Sequence, residues 1–180
     1  SSDTTEGTVS TSALNYSIDN WSRAQTVTLY GVDDTLSNDN QAFSVTLVSV
    51  TSSDVNYAGK NPDDVSVANV DNETASITVS ALSGNTTEMG GTATFTVVLD
   101  SQPTSDVSIA VSSSDTSEAT ISPSSLTTGS SNYSTLQTVT VTGVDDFYDD
   151  DNVSYTITVD PSSSIASYNT MTSSTVTGYN

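Results

Sequence analysis

The chain has 180 residues, with 22 acidic side chains against 2 basic ones, a formal net charge of −20, and neither His nor Cys. That balance excludes nucleic acid as a partner, because such binding rests on Lys and Arg; it disfavours anionic membranes and attracts cations. No disulfide can support a fold, and no apolar run approaches the ~18 residues of a membrane-inserting segment.

Val, Ile and Thr are abundant, and their branched side chains suit a pleated surface. Lys, Leu and Glu, the usual helix formers, are scarce. The expected fold is all-β. The chain opens on "SSDTTEGTVS" (1–10), followed by "QTVTLYGVDD" (25–34) and an acidic loop that leads into Phe43, Val45 and Leu47. These stretches return 112 residues later. "SSDTSEATIS" (113–122) repeats the first, "QTVTVTGVDD" (137–146) repeats the second, and Tyr155, Ile157 and Val159 repeat the apolar trio. After residue 48 the spacing slips, so that "DVSVANVDN" (64–72) aligns loosely with "SSTVTGYN" (173–180), setting Asn180 opposite Asp71.

The repeat divides the chain at residue 73. Residues 74–180 form a complete copy, and residues 1–73 form a copy that lacks its opening strands, the counterpart of 75–112. Those opening strands alternate with period 2: Ala93, Phe95, Val97 and Leu99 share one face, as do Val107, Ile109 and Val111. Val139 and Val141, then Val153, Tyr155, Ile157 and Val159, continue the pattern. One face is apolar and the other carries hydroxyls, as in antiparallel sheets with one side wet. About seven such strands predict tandem Greek-key, Ig-like β-sandwiches. Trp21 and its counterpart Tyr133 precede the "QTVT" strands and are expected to plug a sandwich end. Without opening strands, Val27, Leu29, Phe43, Val45 and Leu47 would expose an apolar face and a sheet edge. The missing strands are expected either upstream in a longer chain or from a neighbouring subunit, by strand addition.

The acidic residues concentrate in loops at strand ends. "GVDDFYDDDNVSY" (143–155) holds five aspartates, and "GVDDTLSNDNQAF" (31–43) holds three. Like charges ~4 Å apart repel by about 1 kcal/mol in water and by more near a protein surface. A cation would relieve this. Calcium fits best, since it takes six to eight oxygen ligands in flexible geometry. Zinc and copper want nitrogen or sulfur ligands, which His and Cys would supply.

"VTGVDDFYDDDNVSYTITV" resembles the acidic hairpin of Calx-β domains, "SVANVDNE" (66–73) the acidic close of such a domain, and "TTEMGGTATFTVVL" (86–99) its opening Glu and first core strand. The resemblance spans both copies and is to the tandem Calx-β-like repeats of large bacterial surface proteins. It implies calcium ligands from Glu88, Asp115, Asp145, Asp146, Asp149, Asp150 and Asp151 in the second copy. In the first copy it implies Asp3, Asp33, Asp34, Asp39, Asp71 and Glu73. The first copy has no opening Glu, and the second has Asn180 at its close, so both sites are expected to be incomplete.

The expected function is structural: a calcium-rigidified extracellular spacer in a tandem-repeat surface protein or adhesin, with neighbouring repeats as its partners. Two alternatives stand beside it. One is a self-assembling subunit of an extracellular filament, sheath or surface layer, built from identical subunits by strand addition. The other is a module that binds glycan or another surface through Thr-rich strand faces. No enzyme is expected. Without His or Cys, the remaining catalytic option is a carboxylate pair, which needs one raised pKa in an apolar cleft, whereas these acids sit in crowded polar loops.

Overall fold

The computed structural model describes residues 1–146 and 151–180. In chain order the described elements are β1 (Gly7–Val9), β2 (Leu29–Gly31), β3 (Gln41–Val45), β4 (Val65–Asn69), β5 (Ile77–Val79), β6 (Thr92–Leu99), β7 (Val107–Ser113), β8 (Ala119–Ser122), β9 (Ser125–Thr128), β10 (Gln137–Gly143), β11 (Ser154–Ser163), α1 (Ala166–Asn169) and β12 (Ser174–Tyr179). They divide into two compact units, Ser1–Asp34 with Asn38–Asn72, and Thr35–Ser37 with Glu73–Asn180.

The second unit is a β-sandwich of two four-stranded antiparallel sheets, ordered β5-β6-β10-β8 and β12-β11-β7-β9. From β6 to β11 the chain changes sheet at every step, the Greek-key way of covering both inner faces. The period-2 pattern dictates what fills the middle. Ala93, Phe95, Val97 and Leu99 of β6, Val107, Ile109 and Val111 of β7, and Val139 and Val141 of β10 are all buried. Tyr155, Ile157 and Val159 of β11 complete the core, and each fully buried side chain of this size stabilises by about 1.5–3 kcal/mol. Val153 is half-buried. Tyr133 packs against this cluster, as an end plug should. The single-turn α1, which the scarcity of helix formers hid, delivers a buried Tyr168 whose hydroxyl donates to Ser101 O at 3.2 Å. Leu36 joins this unit through a parallel bridge to Gln102.

The first unit repeats part of that frame bond for bond. Ser2 N donates to Ser44 O at 2.8 Å, and Ser114 N donates to Thr156 O at 2.8 Å. The Asn20 amide donates to Asn15 O at 3.1 Å, and the Asn132 amide donates to Thr127 O at 3.4 Å. β1 pairs β2 with Gly7 opposite Gly31, as β8 pairs β10 with Ala119 opposite Gly143. The two ribbons, β1–β2 and β3–β4, are each only two-stranded.

Strands in the first unit survive only where their counterpart's partner is present. β10 runs from Gln137 because β6 lies beside it, whereas β2 is cut to the three residues that face β1. Residues 13–16 match β9, whose partner is β7, and with no β7 counterpart they form no strand. Leu14 is accordingly 39% exposed where Leu126 is 5%. Val27, Leu29, Val45 and Leu47 are half-buried. Phe43 departs from expectation, being buried against the bare Cα of Gly7, where a Cβ would fall on its ring. Trp21 also departs: at 71% exposed it plugs no sandwich end among the described residues.

Candidate cation site

Strand direction gathers the acids of the second unit. Registers set the starts of β6, β8 and β11 and the ends of β7, β10 and β12 at the same end of the sandwich. The connecting loops there carry Glu88, Asp115, Asp145, Asp146 and Asp151. The sheets are tied together at this end by Thr86, whose N–H donates to Tyr179 O at 3.0 Å and whose hydroxyl lies 3.1 Å from the Tyr155 hydroxyl.

Asp115 sits half-buried in a tight turn after β7. Its Oδ1 accepts from Ser117 Oγ at 2.5 Å and Ser117 N at 3.0 Å. The Ser117 hydroxyl, then the Ser117 N–H, hold its carboxyl below the usual 3.8, against a smaller upward push from burial. Asp3 is the same turn in the first unit, accepting from Thr5 Oγ1 at 2.6 Å and Thr5 N at 2.9 Å, with its carboxyl lowered chiefly by the Thr5 hydroxyl. Asp39 and Asp151 correspond too, both exposed and both left-handed at φ 61° and 62°. Asp145 is exposed, and Asp146 and Glu88 are half-buried.

Sequence reasoning passed over Glu118, which is buried just before β8. Its backbone O accepts from Val144 N at 2.9 Å, next to Asp145. It also misjudged Asn180. This side chain is only 7% exposed, and its amide donates to Val144 O at 2.9 Å. Its Oδ1 is buried without a hydrogen-bond partner among the described residues. That oxygen and Thr87 O both lie against the bare Cα of Gly143, where a Cβ would fall on them. A buried acceptor without a donor costs about 1–3 kcal/mol.

In the first unit the corresponding amide is Asn69, which donates to Val32 O at 2.8 Å and to Glu6 Oε2 at 3.3 Å. Asn180 therefore matches Asn69, 111 residues earlier, and not Asp71 as the sequence alignment set it. The alignment erred because few identities survive after the slip. Asp71 does a different job: its Oδ2 accepts from Asn38 N at 2.9 Å and its N–H donates to Asn40 Oδ1 at 3.1 Å, closing the acidic loop. Asp3, Glu6, Asp33, Asp34, Asp39 and Asp71 share one end of the first unit's ribbons by strand direction. Glu73 falls in the second unit instead. The signal for Glu6 and Glu118 was present in the repeated opening, "SSDTTEG" and "SSDTSEA".

All ligands on offer at these ends are oxygens, which suits a hard cation, and the orphaned Asn180 Oδ1 fits the same chemistry. Among the described residues no three acidic side chains converge closely enough to hold a metal ion. Asp149 and Asp150 lie outside the described residues.

No family model and no curated protein matches the chain. Among solved structures it is similar to SSP-19, an MSP-domain-like protein of Caenorhabditis elegans, at 17% identity over 50% of this chain and 83% of that one, with a TM-score of 0.34.

Proposed function

We propose that the chain is a non-catalytic structural module of an extracellular, tandem-repeat surface protein, with calcium stiffening the acidic ends of its sandwich repeats, in the manner of the Calx-β domains it resembles. The observation that carries this reading is Asn180 Oδ1, a buried acceptor without a donor among the described residues, at the end where the acids of the second unit gather. In that unit Glu88, Asp115, Glu118, Asp145, Asp146 and Asp151 lie in or beside the loops at that end, and Asn180 Oδ1 and Thr87 O add neutral oxygens. The recurrence of the same turn at Asp3 and Asp115 supports a repeated mechanical unit. Bound calcium would neutralise the loops, and each repeat would hold its end rigid.

Titration calorimetry tests this. The chain should bind calcium saturably, with magnesium a weak competitor because it keeps its waters. Asp145→Asn with Asp146→Asn should lower the affinity of the second unit at least about tenfold, the equivalent of 1.4 kcal/mol. Unchanged binding in that variant would refute the assignment of the site.

A further inference from the structure

We infer that the second unit binds a short neutral saccharide in the cleft between the edges of its two sheets. The inference goes beyond the calcium reading and does not rest on it. β5 and β12 are edge strands, one from each sheet. The cleft that both line holds about 400 Å³, within the ~300–1,000 Å³ of small-molecule sites. Val79, Leu82 and Val176 line it, and because they belong to the core or pack against it they form an apolar floor.

Both walls are fixed. After β5 the chain stays on β6 through reciprocal bonds. Ser80 N donates to Thr96 O, and Thr96 N donates back to Ser80 Oγ, both at 2.9 Å. Ser83 N donates to Thr94 O at 2.8 Å, and Thr94 N donates back to Ser83 Oγ at 2.9 Å. Thr86 N donates to Tyr179 O at 3.0 Å, which ties the two walls together and sets Asn85 near Tyr179. A cleft held in this way needs no reordering to accept a ligand, which lowers the cost of binding.

The chemistry of the lining selects the ligand. No residue around the cleft carries a charge, on a chain of net charge −20. The chain repels an anion, and a cation finds no carboxylate in the cleft. A neutral ligand remains. The Ser80 hydroxyl is already engaged with the backbone. The Asn85 amide and the Thr175 and Thr177 hydroxyls have no partner among the described residues. A wholly apolar ligand would cover these groups and leave them unpaired, which opposes binding. Tyr179, 45% exposed, offers a ring face and a hydroxyl. A sugar answers all of these groups: its hydroxyls pair with the amide and the threonines, and its C–H face rests on the ring and the apolar floor. The site so defined is a cleft between sheet edges and not a Thr-rich strand face.

The test follows backbone amide shifts of the full chain by NMR, in chelator, on titration with maltotriose, cellotriose, chitotriose, mannotriose and lactose. At least one should shift the amides of residues 79–85 and 174–179 saturably. Asp145→Asn with Asp146→Asn should leave that binding unchanged, which separates it from the calcium reading. Asn85→Ala and Thr177→Val should each weaken it about threefold or more, as loss of a hydrogen bond does, without moving the melting of the second unit. The inference falls if none of the sugars shifts those amides, or if both variants bind as the parent does. It also falls if sialic acid binds as well as the neutral sugars. A response to an uncharged peptide of alternating threonine and valine alone would overturn it too, by making the cleft a strand-docking edge.

Discussion

Phe95→Ala should destabilise the second unit by about 3–5 kcal/mol, while Phe43→Ala should cost the first unit only about 1–2 kcal/mol. Both rings are buried. Phe95 lies in a closed core between two four-stranded sheets, so its loss leaves a cavity that neither sheet can collapse to fill. Phe43 rests on Gly7 between two-stranded ribbons whose other apolar residues are half-buried or exposed, so water and neighbouring side chains can enter the space. Denaturant unfolding followed by amide exchange in β10 and in β2–β3 separates the two costs. Equal losses would mean that the first unit has a closed core of its own.

Gly143→Ala should cost about 1–3 kcal/mol, the range for forcing atoms into a packed site. The added methyl would meet Thr87 O, a backbone atom that cannot rotate aside, as well as Asn180 Oδ1. Gly84→Ala is the control, because nothing lies within 4 Å of its Cβ position, and it should change stability by no more than about 0.5 kcal/mol. Thermal unfolding of the two variants measures the difference. If they melt together, the close approach at Gly143 is not a constraint on the folded protein.

Much of the second unit was legible from residue spacing alone. Phe95, Val97, Ile109, Val139 and Ile157 alternate with Thr and Ser, and burial follows that alternation because successive strand residues point to opposite faces. The repeat was equally legible, since its identities are dense over residues 1–10 and 25–34. The misreading of Trp21 has a plain cause, which is that strands depend on distant partners. Leu14 and Leu126 sit in matching sequence, yet only Leu126 has β7 beside it. Trp21 and Tyr133 match as aromatics, yet only Tyr133 has a core to rest on. At the acidic end, the placement of Asp145 and Asp146 at a strand terminus followed from the pattern. The fit of Asn180 against Gly143 did not, because a contact between the last residue and a glycine 37 positions earlier leaves no periodic trace.

Calcium is tested most directly by melting the intact chain in calcium, in magnesium and in chelator at matched ionic strength, which removes general screening from the comparison. At a hundredfold excess over Kd, binding to the native state alone stabilises by about 2.7 kcal/mol. The second unit should therefore melt several degrees higher in calcium than in chelator, with magnesium giving much less. Identical melting in all three solutions would contradict calcium stiffening and leave the acidic ends as solvated loops.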